Sequence, residues 1–453
     1  MTTAKNDFSK GSIPRAIMRM AIPITVAQMV NVAYNLVDRM FIGHLEGVGT
    51  DALTGLGICM PVIFIITAFA NLCGMGGSPL CSIARGAGDI RRAEKLQANS
   101  LTLLLIFGIS LTVLLNVFMR PLLFAFGASE DTYVYAAGYM RIYIFGTVFT
   151  MLSLGMNPFI NSQGFGKMGM LTTVIGAVVN IVLDPLFIYV FDLGIKGAAF
   201  ATVIAQFCSA AWVMTFLCGK NAALRMRKED LRLERRLVGE ILAMGVVGFC
   251  MSITNGIVQA VANVQLRTYG GDLYVGVMTV INSLQQVLFL AVSGVSNGAS
   301  PVMGYNYGAK EYERVKKSIR FITLLSMGFI AVVTVFILSF PAALVRIFNN
   351  DPELIAAAVP ATRIFFACYI FMGFQMVGQR TFQSLGRAKK AVFFSLLRKV
   401  FIVVPLTIIL PSLGLGVMGV FWAELVSNVV GGLACYTTMY FTEYRVLGKE
   451  IST

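Results

Sequence analysis

The chain has 453 residues, of which 57% are hydrophobic and 13% charged, and its formal net charge is +14. Soluble proteins carry about 25% charged residues, so the composition excludes a water-soluble globular class and indicates a polytopic membrane protein. Eight cysteines are scattered without a CxxC pair and the single histidine is His44, so neither structural zinc nor a disulfide framework is expected. HExxH and paired-histidine motifs are missing from the sequence, which argues against an enzyme.

Apolar windows long enough to cross about 30 Å of hydrocarbon recur along the chain. They predict an all-α polytopic membrane protein with twelve transmembrane helices. The predicted spans are 17–43, 52–78, 98–120, 133–157, 168–191, 197–218, 238–266, 274–300, 318–341, 355–380, 391–410 and 415–440. An even number of spans places both termini on the same side of the membrane.

The basic residues indicate which side that is. Most of the 36 lysines and arginines fall in the N-terminal segment, the even-numbered loops and the tail. The tenth loop is assigned Arg387, Lys389, Lys390, Arg398 and Lys399, whereas the odd-numbered loops hold Arg120, Lys196, Arg267 and Arg346. The positive-inside rule then puts both termini in the cytoplasm and the chain in the cytoplasmic (inner) membrane. This distribution explains the net charge without a nucleic-acid partner.

The two halves of the chain match at one offset. Residues 222 positions apart are identical in four places: Ser78-Pro79 and Ser300-Pro301, Gly86-Ala87 and Gly308-Ala309, Arg141-Ile142 and Arg363-Ile364, Ser162-x-Gly164 and Ser384-x-Gly386. The matches indicate a duplication, with two six-helix lobes related by a pseudo-two-fold axis along the membrane normal. We expect an N-lobe at 1–219, a basic cytoplasmic linker at 220–237 and a C-lobe at 238–453. A substrate cavity is expected between the lobes, opening to each side in turn.

Acidic residues inside the predicted spans are Asp38, Asp184 and Glu424. A charge facing lipid at mid-bilayer costs about 2.5 kcal/mol or more, so each should face the interior. Burial and a second nearby carboxylate both favour a bound proton. An Asp38–Asp184 pair could therefore carry H⁺, or its oxygens could bind Na⁺. The alternative is that these residues only cross-link helices by hydrogen bonds.

Other polar and adaptable side chains are candidates for the substrate cavity. On the first span Gln28, Asn31 and Asn35 share a helical face with Asp38, and Asn180 lies one turn before Asp184. In the second half the candidates are the carboxamides Asn255, Gln259, Asn282, Gln286, Gln375 and Gln379, which would equally serve as interhelical hydrogen bonds. Met29, Tyr34, Phe149, Met156 and Met278 are candidates for an adaptable apolar wall, and Glu424 for a polar one. Pro23 removes a backbone donor within the first span and is the predicted hinge.

Several segments together resemble the MATE (multidrug and toxic compound extrusion) transporters, in their MepA-like and DinF-like bacterial branch. The resembling segments are Ala21-Ile22-Pro23, Tyr34-Asn35-Leu36-Val37-Asp38, Gly77-Ser78-Pro79, Arg85-Gly86-Ala87-Gly88, Asn180-Ile181-Val182-Leu183-Asp184-Pro185 and Gly197-Ala198-Ala199-Phe200-Ala201-Thr202. The resemblance covers all twelve spans in order. It implies the MATE fold and substrate/cation antiport.

The resemblance also implies particular site residues. In DinF-like members the cation site of the N-lobe would fall on Asp38, Asn180, Asp184, Asn157 and Thr202, and bending of the first helix would fall on Pro23. The NorM-like branch has carboxylates on the seventh and tenth spans. This sequence has carboxamides there, so we expect ion coupling in the N-lobe.

The function expected from these observations is secondary active efflux of cationic or amphipathic small molecules by antiport with H⁺ or Na⁺. The expected partners are a small-molecule substrate and the lipid bilayer, the expected assembly is a monomer, and no cofactor is expected besides the coupling ion. The alternative is a flippase for a lipid-linked precursor, which should place several basic residues in its cavity. A scaffold without transport activity would tolerate Asp184→Asn.

Overall fold

The computed structural model describes residues 8–43, 45, 49–348 and 351–448; His44 lies outside these ranges. The α-helices of the first half are α1 (Ile13–Gly43), α2 (Gly49–Gly86), α3 (Ile90–Val117), α4 (Met119–Ala125), α5 (Glu130–Phe145), α6 (Thr147–Ser162), α7 (Gly166–Pro185) and α8 (Gly194–Cys218). Those of the second half are α9 (Arg235–Gly308), α10 (Tyr312–Ser339), α11 (Pro341–Arg346), α12 (Pro352–Phe366), α13 (Ile370–Ser384), α14 (Ala388–Leu396), α15 (Val404–Leu410) and α16 (Met418–Met439). A 3₁₀ turn lies at Lys228–Leu231, and π-helical segments lie at Leu186–Val190, Leu397–Val403, Pro411–Leu415 and Tyr440–Tyr444.

The helices confirm the predicted all-α membrane architecture. Within the described residues, ten helices are long and apolar enough to cross a membrane, and two bent helix pairs raise the number of spans to as many as twelve. Helix α9 supplies two spans, because its backbone leaves helical geometry at Gly271. All twelve predicted spans overlap these helices, which extend beyond the predicted ends by up to about two turns.

The fourth and tenth spans are the bent pairs. Thr132–Phe145 and Thr147–Ser162 meet at 59°, and Pro352–Phe366 and Ile370–Ser384 meet at 47°. These two spans occupy matching places in the two repeats, so the same break occurs in both halves. This agreement supports the duplication inferred from the sequence.

Contacts divide the chain into two compact units. The first contains Ile22–Phe249, and the second contains Phe8–Ala21 and the residues from Cys250 onward. The boundaries therefore differ from the predicted lobes at two places: the beginning of α1 packs with the second unit, and the beginning of α9 packs with the first. Helix α1 passes from one unit to the other beside Pro23, the predicted hinge.

The predicted linker between the lobes is held against the first unit by specific bonds. Gln163 Oε1 accepts hydrogen bonds from the backbone N–H groups of Ala223 and Leu224, at 2.8 and 3.2 Å. Arg91 Nη1 pairs with Asp230 Oδ2 at 2.6 Å. The segment is therefore part of the first unit rather than a free connection.

Helices α2 and α9 touch at glycines inside the first unit. A Cβ atom on Gly76 would lie 2.2 Å from the carbonyl oxygen of Ile241, and one on Gly245 would lie 1.7 Å from that of Leu72. Real Cβ atoms essentially never come closer than 3.0 Å. The absence of side chains at these positions therefore permits backbone-to-backbone packing, the usual device for helix association in lipid.

The start of the described chain is fastened to the second unit. The Arg314 guanidinium donates to the carbonyl oxygens of Phe8 and Gly11, at 2.9 and 3.0 Å. Its Nε donates to Asn306 Oδ1 at 2.9 Å. The Phe8 side chain is buried and meets the Tyr305 ring edge-on. The residues before α1 are therefore held against the second unit by specific hydrogen bonds and by packing of Phe8.

Arg398 and Lys399, assigned from the sequence to the tenth loop, lie inside the candidate span Ala388–Leu415. The loop assignment was wrong, and it also disagreed with the predicted span 391–410, which contains both residues. The Arg398 charge is in fact met by Glu424, at 3.6 Å on another helix. Only the tertiary structure reveals this compensation.

Candidate functional site: a buried carboxyl pair in the first unit

Helix α7 presents a polar stripe to the interior of the first unit. Thr172, Gly176, Asn180 and Asp184 follow one another at intervals of four residues, which places them along one helical face. Pro185 ends the helix and a π-helical turn, Leu186–Val190, follows it. Proline removes a backbone donor at this point, and such π-turns often occur at functional sites.

The C-terminal end of this stripe, at Asn180 and Asp184, is fully buried. Asp184 has 0% of its surface exposed and Asn180 has 1%. Asn180 Nδ2 donates to Asp184 Oδ1 at 3.1 Å and lies 3.5 Å from Thr202 Oγ1 on α8. Helices α7 and α8 thus place Asn180 against the Asp184 carboxyl and Thr202 beside Asn180.

Helix α1 brings a second carboxyl to the same point. Asp38 is buried, with 8% of its surface exposed, and its carboxyl lies close enough to that of Asp184 for the two to interact electrostatically. Two carboxylates this close cannot both stay negatively charged in an enclosed site unless a proton or a cation lies between them. Asp184 Oδ2 and Asn180 Oδ1 receive no hydrogen bond from the described residues. These oxygens are free to bind such a cation.

A small open cavity is lined by Asn180 and Thr202, next to the carboxyl pair. Asn157 Oδ1 accepts from Thr172 Oγ1 at 3.2 Å, and Ser153 Oγ donates to Gln206 Oε1 at 2.7 Å. The lining is mostly polar or small: Asn31, Tyr34, Ser153, Leu154, Asn157, Thr172, Thr173, Gly176, Ala177, Asn180, Thr202, Ala205, Gln206 and Ser209. A space lined by polar side chains therefore lies beside Asn180, which contacts the buried Asp184 carboxyl.

All five residues predicted for the cation site, Asp38, Asn180, Asp184, Asn157 and Thr202, lie in this region. Asn31 and Tyr34, predicted for the substrate cavity, line the cavity wall. Asn35 Nδ2 donates to Asn31 Oδ1 at 2.8 Å and so supports that wall from within α1.

The apolar residues predicted for the substrate cavity differ in their burial and packing. Met156 and Met278 are buried in hydrophobic clusters, with 0% and 4% of their surfaces exposed. Phe149 packs edge-on against Phe207. Met29 is 59% exposed on α1, and Gln28 is partly buried one residue before it. A methionine in an apolar helix fits a core and a cavity equally well, so the sequence could not separate these cases.

The carboxamides of α9 lie mainly on exposed surface of the second unit. Gln259 Nε2 donates to Asn263 Oδ1 at 2.9 Å, and Asn282 Nδ2 donates to Gln259 Oε1 at 3.3 Å. Asn255 and Gln286 are exposed. These groups form a polar strip across both spans of α9.

Gln375 and Gln379 both hydrogen-bond to the backbone of α14. Their Nε2 atoms donate to the carbonyl oxygens of Phe394 and Ala391 on α14, at 3.2 and 3.4 Å. They therefore hold α13 against α14, one of the two roles considered from the sequence. Glu424 is partly buried and faces Arg398.

The sequence reasoning missed Ser153, Thr172, Gln206 and Ser209, which line the cavity. The sequence does contain a pattern that indicates these residues. Ser153 and Asn157 are four residues apart on α6, and Thr202, Gln206 and Ser209 are spaced by four and three on α8. Polar residues at helical spacing within apolar spans mark an interior face.

The comparisons with known proteins agree with this geometry. The MatE family model matches residues 23–186 and again 247–409, two segments that together cover well over half of the chain. The chain belongs to the MATE family. This MATE chain is thus a multi-pass membrane transporter rather than an enzyme, and the double match agrees with the internal repeat.

Individual relatives match over almost the whole length. "Multidrug export protein MepA" of Staphylococcus haemolyticus (strain JCSC1435) is 24% identical over 445 residues, covering 98% of this chain and 97% of the relative. The solved structure described as "Crystal structure of MATE in the bent conformation" superposes with a TM-score of 0.94 at 24% identity, covering both chains fully. "Crystal structure of MATE in the straight conformation" reaches 0.91, also at 24% identity, over 99% of this chain and 100% of the other. The MATE fold is therefore confirmed.

Proposed function

We propose that this MATE transporter exports cationic or amphipathic small molecules by antiport with H⁺ or Na⁺. The single observation that carries the proposal is the buried Asp38–Asp184 carboxyl pair, with its surrounding oxygens. Export of drugs or toxins as the substrate class is supported by the name of the MepA relative. The transporter alternates between states open to the two sides of the membrane.

The carboxyl pair suits either coupling ion. A proton shared between Asp38 and Asp184 removes one negative charge from an enclosed site. Na⁺ instead needs several oxygen ligands, which carboxylates, amide carbonyls and hydroxyls supply as they do for other hard cations. Asn180 Oδ1, Thr202 Oγ1 and Asn157 Oδ1 are the candidate neutral ligands.

Coupling follows from the cost of an empty site. When the bound ion leaves, two adjacent carboxylates repel each other in a region of low dielectric. A conformation that separates or hydrates them then gains stability, and a cationic substrate in the adjoining cavity would gain from the released negative charge. Ion and substrate thereby compete through charge, which is the requirement for antiport.

Flipping of a lipid-linked precursor remains the alternative. A headgroup rich in phosphate requires basic side chains. None of the residues lining the cavity beside Asn180 is lysine or arginine, so the cavity favours the exporter. Uptake of a fluorescent lipophilic cation by proteoliposomes distinguishes these functions directly.

The test compares wild type with Asp184→Asn under an imposed pH gradient, an imposed Na⁺ gradient, or neither. We expect uptake to need one of the gradients and to fall by at least about tenfold in the variant, since coupling energies between sites are typically 5- to 150-fold. Asp192→Asn is the matched control. Asp192 is exposed, lies in the loop after α7 and has a positive φ of 53°, which asparagine also adopts.

Two results would overturn the proposal. One is gradient-independent movement of the cation by wild type. The other is full coupled uptake by an Asp184→Asn variant that elutes as a folded protein in size-exclusion chromatography.

A further inference from the structure

The segment between α8 and α9 separates its charges by sign. Two of its carboxylates pair with basic residues at the start of α3. Asp230 Oδ2 lies 2.6 Å from Arg91 Nη1, and Asp230 is buried. Glu234 Oε1 lies 2.5 Å from Lys95 Nζ. Among the carboxylates of this segment, all of which the structure describes, only the exposed Glu229 forms no ion pair. Most of the segment's negative charge is therefore neutralised inside the first unit.

The basic residues of the same segment lie on its outside. Five of them are exposed and form no ion pair with any described residue: Arg225, Arg227, Lys228, Arg232 and Arg235, the first residue of α9. Set against Glu229 alone, they give the outer surface a strong positive charge. Like charges so close together repel one another and oppose compact folding, so an anionic partner outside the chain would stabilise this surface.

Hydrogen bonds fix the depth of the segment beside the third span. Thr102 Oγ1 donates to the carbonyl oxygen of Leu231 at 2.9 Å. Asn99 Nδ2 donates to the carbonyl oxygen of Arg232 at 3.3 Å. The third span is predicted to begin at residue 98, so both donors lie in its first turns. The end of the 3₁₀ turn is therefore level with the boundary between hydrocarbon and headgroups.

Two leucines are exposed at this level. Leu231 has 38% of its surface exposed and Leu233 has 43%. Exposed leucines between arginines are typical of a segment that lies in a membrane interface, where apolar side chains enter the acyl boundary and basic side chains extend to the phosphates. A soluble acidic protein or a nucleic acid would have no use for the leucines at this depth. The pattern therefore favours lipid as the anionic partner.

We propose that residues 225–235 form a binding surface for the headgroups of anionic phospholipids in the adjacent leaflet. Each basic side chain near an anionic leaflet favours binding by about fivefold, so five such side chains discriminate strongly between anionic and zwitterionic lipids. The ion pairs with α3 hold the surface in place. The bound lipids thereby anchor the first unit at its connection to α9, independently of the carboxyl pair.

The experiment places a fluorescent reporter on the surface. Leu231→Trp is introduced into the full chain, and the signal of the native Trp212 and Trp422 is subtracted with the unsubstituted protein. Both proteins are reconstituted in liposomes of equal parts phosphatidylcholine and phosphatidylglycerol. In one set the phosphatidylcholine is brominated, and in the other the phosphatidylglycerol. The lipid composition is the same in both sets, so a difference in quenching reports which lipid contacts the segment.

We expect brominated phosphatidylglycerol to quench the introduced tryptophan at least about twofold more than brominated phosphatidylcholine, and high salt to reduce the difference, because it screens exposed charges. The added changes Arg227→Gln/Lys228→Gln/Arg232→Gln should bring the ratio close to one. The matched control is Lys317→Gln/Arg320→Gln/Lys389→Gln, which removes the same charge from exposed positions of α10 and α14 and should leave the ratio unchanged.

Equal quenching by the two lipids would overturn the proposal, since the segment would then contact lipid without recognising its charge. Quenching by neither lipid would also overturn it and would leave the basic surface to a soluble anionic partner. A triple variant that keeps the original ratio would contradict the role of the arginines. Leu233→Trp provides a second reporter position if Leu231→Trp does not fold. Ion-driven uptake in Asp184→Asn is measured separately, so none of these outcomes bears on the proposed antiport.

Discussion

The glycine contact between α2 and α9 predicts a sharp difference between two alanine substitutions on one helix. Gly245→Ala adds a Cβ at 1.7 Å from the Leu72 carbonyl oxygen. Both partners are backbone, so the helices must separate until that distance exceeds 3.0 Å. Gly239→Ala, on the same helix, adds a Cβ with no atom within 4 Å. The two variants therefore change the same group in opposite surroundings.

The expected magnitudes follow from those distances. Overpacking at a rigid contact costs about 1–3 kcal/mol, and here no flexible side chain can yield, so Gly245→Ala should lie at the upper end. Gly239→Ala should be neutral or gain about 0.5–1 kcal/mol from the better helix propensity of alanine.

The assay is thermal unfolding of each purified variant in the same detergent, followed by loss of the monodisperse peak in size-exclusion chromatography. We expect the melting temperature of Gly245→Ala to fall by about 5 °C or more, at roughly 2–4 °C per kcal/mol, and that of Gly239→Ala to hold or rise. Equal melting temperatures would refute the backbone contact between α2 and α9, and with it the assignment of the start of α9 to the first unit.

Two further predictions concern the segment after α8 and the residues before α1. Gln163→Leu leaves the N–H groups of Ala223 and Leu224 without their acceptor and removes the Nε2 donor to Gln97 Oε1, which should destabilise the protein by about 1–3 kcal/mol; an unchanged melting temperature would contradict the assigned bonds. Arg314→Gln removes donors to the carbonyls of Phe8–Gly11, so hydrogen–deuterium exchange in the N-terminal peptide should accelerate at least about tenfold, whereas unchanged exchange would show that the contact does not hold the segment.

Much of the site was visible in the sequence because membranes make polar residues conspicuous. Asp38 and Asp184 stand out in apolar spans, and their burial was expected from the cost of a lipid-facing charge. Asn157 and Thr202 were expected only through the family resemblance. Ser153 and Gln206 were overlooked, although both repeat at helical spacing with residues that were noticed.

Other features depend on information that a linear pattern does not contain. Met156 and Met278 are buried in hydrophobic clusters, because the tertiary structure decides which apolar face of a helix meets another helix. Arg398 looked like a loop residue because its compensating groups, Glu424 and Asn428, are 26 and 30 residues away. Pairing at that separation depends on how α16 packs against its neighbour.

The sequence by itself determined that most of the chain lies in lipid, and it determined the number of spans, because hydropathy over about twenty residues is a local property. It also revealed the duplication, because identity at a fixed offset is a periodic property. It also indicated which residues carry the carboxyl chemistry. Only the tertiary structure decided that Asp38 and Asp184 are buried close together, that α1 passes from one unit to the other beside Pro23, and that Arg398 faces Glu424 in the second unit. Distances and charge balances between helices arise from packing, and packing is a property of many residues that are distant in the chain.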